Sequence, residues 1–309
     1  MKIENFTICS EIDQLNLAVT VMIPQKPTGI IQFVHGMSEY RKRYFKAMEF
    51  FTSKGFITII HDHRGHGESI RAKDDLGYFY QKGKQGLVED THQITSYIKT
   101  RFPSLPCFLL GHSMGSLVAR NYLQQYDHEL DGMILIGAPN NNKMVALGRR
   151  LVHFLSFFSG KHHRSTFIDQ IAFHGSNRQF QDEQDPNSWL CSDPVVREKY
   201  RQDPLSGFLF TLDGFDGLFE LMKSCFQEKN YKLNNKDLPI YFLGGADDPI
   251  IGGEKGIRSS VDFLKTLGYT NVQSQLYYGK RHELLNETNK ETVYETIYQW
   301  ISEQQKQEI

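Results

Sequence analysis

The run Cys107-Phe108-Leu109-Leu110-Gly111-His112-Ser113-Met114-Gly115-Ser116-Leu117-Val118 decides how this chain is read. Its apolar opening reads as a buried strand, and Leu117, Val118 and Tyr122 lie at helical spacing just beyond, so the Gly-x-Ser-x-Gly between them is a strand-to-helix turn. So tight a turn leaves no room for a side chain at Gly111 or Gly115. It lifts the Ser113 hydroxyl above the sheet edge, at a helix amino terminus that favours developing negative charge.

Outward from this turn the apolar periodicity alternates between short strands and helices. Residues 3 to 9 and 15 to 23 read as a hairpin. Ile30 to Val34, Phe56 to His61, Cys107 to Gly111, Met133 to Gly137, Ile240 to Gly244 and Val272 to Tyr278 read as further strands. Tyr44, Phe45, Met48 and Phe51 form one helical stripe, Leu87, Thr91, Ile94 and Ile98 another, and Val293, Ile297 and Ile301 a last one. The expectation is an α/β protein with a mostly parallel eight-stranded sheet and helices on both faces.

Residues 141 to 235 break that rhythm, being far longer than an ordinary crossover. They hold 11 of the 22 phenylalanines, so the stretch either builds its own core or lines an apolar pocket. Residues 1–140 and 236–309 are read as the core and 141–235 as an inserted helical cap. Phe154, Phe158, Phe208 and Phe210 are candidates for contact with a substrate.

Composition narrows the function. Thirty-five basic against 36 acidic residues leave a formal charge of −1 and no basic stripe, which argues against nucleic acid as a partner. Cys9, Cys107, Cys191 and Cys225 lack metal-site or disulfide spacing and suit a reducing cytoplasm. The opening Met1-Lys2-Ile3-Glu4-Asn5 reads as a strand rather than a secretion signal. No uninterrupted apolar run is long enough for a membrane span, whereas peripheral contact through the cap stays open.

A serine hydroxyl needs a base to take its proton and an acid to orient that base. His282 follows the last strand and precedes the last helix, at a strand's carboxyl end, where sites form in open parallel sheets. The acid is expected after the preceding strand, in Gly244-Gly245-Ala246-Asp247-Asp248-Pro249. Asp248 is favoured over Asp247 because Pro249 fixes the turn just after it. Backbone donors for an oxyanion are expected at Met114 and at Met37, where Gly36 lets the chain turn. His112 abuts the serine, and its side chain should leave the turn in another direction.

His35-Gly36-Met37-Ser38-Glu39, Asp62-His63-Arg64-Gly65-His66-Gly67-Glu68-Ser69, Gly111-His112-Ser113-Met114-Gly115, Ala246-Asp247-Asp248-Pro249 and Gly279-Lys280-Arg281-His282-Glu283 together resemble the α/β-hydrolase superfamily. Within it the chain is most similar to the monoacylglycerol lipase and lysophospholipase group, although many relatives have a small residue where Met37 stands. The resemblance spans residues 29 to 140 and 238 to 306. It implies Ser113 as nucleophile, Asp248 as acid, His282 as base, and Met37 and Met114 as oxyanion donors, with no cofactor. Neither His61, His63 and His66 nor His162 and His163 have the spacing of a metal site.

The leading expectation is a serine ester hydrolase that acts on a lipid ester with one acyl chain through an acyl-enzyme. A peptidase or amidase, with Asp182, Glu183 and Asp185 reading a substrate's amino terminus, is the competitor, together with a small-ester carboxylesterase. Dehalogenase and epoxide hydrolase chemistry would require Asp at position 113. A non-catalytic receptor on the same scaffold is disfavoured because every catalytic position is filled.

Overall fold

Along the central strands, alternate residues part to opposite faces, and both faces are dry. The computed structural model describes residues 1–307. Ile30 and Val34, Cys107 and Leu109, and Met133 and Leu135 face one core, while Ile31 and Phe33, Phe108 and Leu110, and Ile134 and Ile136 face the other. A sheet covered on both sides needs continuous apolar strands rather than alternating ones, which is why these segments read as unbroken hydrophobic runs.

The strands are β1 (Lys2–Cys9), β2 (Asn16–Ile23), β3 (Gly29–Val34), β4 (Phe56–His61), β5 (Cys107–His112), β6 (Gly132–Ile136), β7 (Ile240–Gly245) and β8 (Val272–Tyr277). They form one sheet in the order β1-β2-β4-β3-β5-β6-β7-β8. β1 and β2 pair antiparallel, as do β2 and β4, and every other pairing is parallel. Each strand expected from the sequence is present, with ends shifted by no more than one residue.

The first core is closed by helices α2 (Gly83–Arg101), α3 (Met114–Tyr126) and α8 (Gly253–Leu267), the second by α1 (Phe45–Ser53) and α9 (Lys290–Gln307). Helix α8 went unread in the sequence, although Ile257, Val261 and Leu264 mark its buried stripe. The chain goes from β3 to β4 on one side and then crosses to β5 on the other. This reversal leaves a crevice at the carboxyl ends of β3 and β5, the topological switch point where open α/β sheets hold ligands. Met37 follows β3 there, and Ser113 follows β5.

The long connection between β6 and β7 carries α4 (Val145–Ser159), α5 (Thr166–Ala172), α6 (Pro194–Gln202) and α7 (Leu212–Ser224). Asp193 caps α6, and Thr211 caps α7, each side-chain oxygen accepting an N–H of the first turn. Helix α4 packs on α7, burying Val145 and Val152, while Leu147, Phe154, Phe157 and Phe158 point outward.

Candidate active site

The turn at Ser113 is under backbone strain. Its φ of 52° and ψ of −119° lie where L-residues rarely settle, a cost of order 1–3 kcal/mol that surrounding structure must offset. A Cβ on Gly115 would stand 2.0 Å from the Val34 carbonyl oxygen, and one on Gly111 would stand 2.5 Å from the Gly115 carbonyl oxygen. The glycines are therefore close-approach positions, and the Ser113 N–H is held by the Ile136 carbonyl at 2.9 Å.

His282 lies across from this turn, buried on the loop after β8. Its Nε2 accepts the Ser113 hydroxyl at 2.7 Å, and its Nδ1–H donates to Asp248 Oδ2 at 2.8 Å. A carboxylate can only accept, so Asp248 assigns the tautomer and leaves Nε2 free to take a proton from Ser113. The other Asp248 oxygen accepts the Ile250 N–H at 2.8 Å. Asp247 is exposed, and it is Asp248 rather than Asp247 whose carboxylate meets the imidazole. This row, alcohol to imidazole to carboxylate, can generate an alkoxide equivalent at Ser113 Oγ.

Met37 and Met114 border the same cavity as Ser113 and His282, and among the described residues neither backbone N–H has a hydrogen-bond acceptor. Two free N–H groups beside a nucleophilic oxygen are what a developing oxyanion requires.

A buried cluster that the sequence reading missed fixes the loops behind this row. Glu39 Oε1 accepts the Gly36 N–H at 2.6 Å and the Tyr44 hydroxyl at 2.7 Å, and faces His112 Nδ1 at 3.1 Å. Arg43 bridges Glu39 Oε2 at 2.6 Å and both oxygens of Glu283, at 2.8 and 2.6 Å. His112 Nε2 donates to the His282 carbonyl at 3.2 Å. Both of its ring nitrogens face acceptors, an arrangement that favours the protonated ring. Burial alone would lower its pKa, but the Glu39 hydrogen bond and charge outweigh that and raise it. Burial likewise pushes the Glu39 carboxyl upward, yet Arg43 and His112 overcome it and hold the carboxyl far below its usual range. Gly36, His112 and Glu283 are the chain neighbours of Met37, Ser113 and His282, so one neutral set of charges registers three site loops. The Arg43–Glu283 pair, 240 residues apart, left no local signal in the sequence.

The site opens into a cavity of about 450 Å³, roofed from the long connection by Ile171, Phe173, Trp189, Phe208, Phe219 and Met222. The Trp189 ring lies 5.1 Å from that of His282. Of the four phenylalanines marked as substrate candidates, Phe208 alone lines this cavity. Phe210 is fully buried against Phe79, Phe215 and His66, and Phe154 and Phe158 are exposed on α4. Helical geometry explains the difference, because the inward stripe of α4 is taken up by packing on α7, leaving these two rings on the opposite side.

The three acidic residues considered for reading a peptide do not reach the cavity. Glu183 pairs with Arg281 and Arg197, Asp185 with Arg197, and Asp182 is exposed. His61, His63 and His66 are buried with His35 at the carboxyl ends of β3 and β4; His35 Nε2 accepts the His63 N–H at 2.9 Å, and His66 Nε2 accepts the Ser38 N–H at 3.3 Å. His162 and His163 are exposed.

The sheet order, the strained turn and the crevice beneath the long connection define the α/β-hydrolase fold. Residues 25–289 match the family described as serine aminopeptidase, S33, and the chain belongs to that family of hydrolases. It is similar to the monoacylglycerol lipase of Mycolicibacterium smegmatis, 25% identical over 277 residues that cover 89% of this chain and 88% of that one. A thermostable carboxyl esterase from Bacillus coagulans, solved with glycerol, matches at a TM-score of 0.91 and 25% identity over 98% of each chain. A monoglyceride lipase from Saccharomyces cerevisiae, solved with a substrate analog, shares the fold at a TM-score of 0.73 and 21% identity over 98% of this chain and 94% of that one.

Proposed function

We propose that the chain is a serine ester hydrolase acting on lipid esters with a single acyl chain. The observation that carries this reading is the Ser113–His282–Asp248 row opening into a cavity whose long-connection side is lined by Phe173, Trp189, Phe208, Leu218, Phe219 and Met222. At about 450 Å³ the cavity falls within the usual range for small-molecule sites, roughly 300–1,000 Å³.

Ser113 Oγ attacks the ester carbonyl while His282 Nε2 takes its proton. The Met37 and Met114 N–H groups hold the oxyanion. Collapse of the tetrahedral intermediate breaks the bond to the alcohol, which leaves with the proton from Nε2, and an acyl-enzyme remains on Ser113. Water, deprotonated by the same nitrogen, attacks the acyl carbon; Ser113 regains its proton and the carboxylic acid departs.

Residues 141–235 act as a cap over this site. Met144, Leu147, Phe154, Phe157, Phe158, Phe167 and Ile171 leave large apolar surfaces exposed on it, and Met144 and Ile171 also line the cavity, so the patch runs to its mouth. Among the described residues no helix is long and apolar enough to cross a membrane, and this face suits peripheral contact with a lipid surface from which the ester enters. The activity of the relative from Mycolicibacterium smegmatis, by its name, and the glycerol bound to the Bacillus coagulans esterase agree with this reading.

The test is hydrolysis of glycerol esters of increasing acyl length against aminoacyl anilides. Rising kcat/KM from butyryl to decanoyl, lost in Ser113→Ala, is expected. Faster cleavage of the anilides would replace this reading with that of an aminopeptidase.

A further inference from the structure

The charges around the cavity are unbalanced in a way that bears on the leaving group. Among the described residues no lysine or arginine lines it. Three carboxylates do: Glu39, Glu283 and Asp169. The first two are neutralised by Arg43 and His112. Asp169 is different. It stands on α5, one turn before Ala172 at the helix's end, and lines the cavity together with Ala172 and with Phe173 and Ser176 just beyond the helix. It is half-buried, with no basic residue in salt-bridge range and no donor to its carboxylate among the described residues. Burial shifts its carboxyl pKa upward.

A carboxylate left alone in an apolar cavity costs stability, because no partner replaces the water it has lost. None of the lysines and arginines of the same segment lines the cavity, and Lys143, Arg150 and Lys161 among them are exposed. The cavity thus carries one carboxylate, Asp169, with no cation to balance it.

Resting on the reading of an ester hydrolase above, we propose that Asp169 is a specificity-determining residue that excludes esters whose alcohol carries a negative charge, phosphate in particular, and admits uncharged alcohols such as glycerol. A phosphate head group would meet a fixed like charge in a low-dielectric space with no guanidinium or ammonium to answer it. An uncharged polyol meets an acceptor for its hydroxyl groups instead. Selection by an opposing charge works by raising the energy of the wrong complex, which a purely apolar pocket cannot do.

The experiment compares two esters of one acyl chain, decanoyl glycerol and decanoyl glycerol 3-phosphate, both in neutral detergent micelles so that surface charge is common to them. The wild type is expected to favour the uncharged ester at least about tenfold in kcat/KM, the effect of a single unit charge across a partly buried site. Asp169→Asn, of the same size, should shrink that preference about fivefold or more. Asp169→Leu, which removes the acceptor too, should lose the discrimination and also slow the glycerol ester relative to ethyl decanoate. A preference in Asp169→Asn equal to that of the wild type overturns the role of Asp169 and leaves the hydrolase reading standing. Failure of the wild type to cleave either ester overturns both.

Discussion

Glu39 Oε1 and His112 Nδ1 lie 3.1 Å apart in a buried pair that stands directly behind the Ser113 turn. The same carboxylate holds the Gly36 amide and, through Arg43, the Glu283 side chain. Glu39→Gln keeps the shape and removes the charge, leaving a buried imidazolium and guanidinium with one carboxylate between them. Breaking a buried pair in this way costs about 3–5 kcal/mol. If the cluster also sets the positions of Met37, Ser113 and His282, fluorophosphonate labelling of the folded variant should slow by roughly 10- to 100-fold, as small misplacements of reacting groups do. Denaturant unfolding measures the first effect, and labelling below the unfolding transition measures the second. Labelling at the wild-type rate in a less stable protein would make the cluster purely architectural.

Asp248→Asn tests the carboxylate's part in the row. With an amide in its place, Nδ1 no longer faces an obligate acceptor and the imidazole can present the wrong tautomer to Ser113. A loss of about 10⁴-fold in kcat is expected, roughly a hundredfold smaller than that from Ser113→Ala. Asp247→Asn, on the exposed neighbour, should remain within about twofold, since surface polar changes rarely matter more. Side-by-side turnover of one glycerol ester by the three variants decides it, and comparable losses at 247 and 248 would show that the turn itself, rather than the carboxylate, carries the effect.

Much of this architecture was legible because the two faces of the sheet are both buried. Strands such as Phe108-Leu109-Leu110 had to be apolar throughout, and Gly111 and Gly115 had to be bare because the Val34 and Gly115 carbonyls come so close. The strand order placed the loop of His282 and that of Asp248, each at a strand's carboxyl end. The Glu39–Arg43–Glu283–His112 cluster was hidden because its partners are joined by topology and not by spacing. The role of Phe210 was misread for another reason: richness in phenylalanine does not say which ring faces a ligand and which fills the core beneath it. Asp169 carried no local signal at all; its isolation becomes visible only when the cavity around it is known.

The exposed rings of α4 predict behaviour at a lipid surface. Phe157 is 85% exposed and Phe158 70%, so replacing both with serine should leave the unfolding midpoint unchanged. Each ring that enters a membrane interface contributes on the order of 1.5–3 kcal/mol at full burial. Partitioning to vesicles containing anionic lipid, followed by sedimentation, should therefore weaken by at least about tenfold in Phe157→Ser/Phe158→Ser. Turnover of a soluble butyryl ester, which needs no surface, should not change. Equal vesicle binding by the double variant would remove α4 from any role in docking.

His61 offers a pH experiment with a worked-out sign. Both ring nitrogens are buried with no hydrogen-bond partner among the described residues, and burial, reinforced by Arg64, lowers the pKa to about 3. The unfolded chain, with an ordinary histidine near 6.5, binds the proton more readily over the whole interval between these values. Stability from the neutral ring is thus complete above pH 6.5 and is lost progressively as the pH falls toward 3. His61→Leu removes two unsatisfied buried atoms, so it should be neutral or stabilising by about 1 kcal/mol at pH 8. At pH 5 the variant should gain roughly a further 2 kcal/mol over the wild type, from 1.5 pH units at about 1.4 kcal/mol each. The neighbouring His35, His63 and His66 titrate in both proteins, so the difference between two urea-unfolding series isolates residue 61. An identical difference at pH 8 and pH 5 would mean that the folded protein admits the proton at this ring as easily as the unfolded chain does.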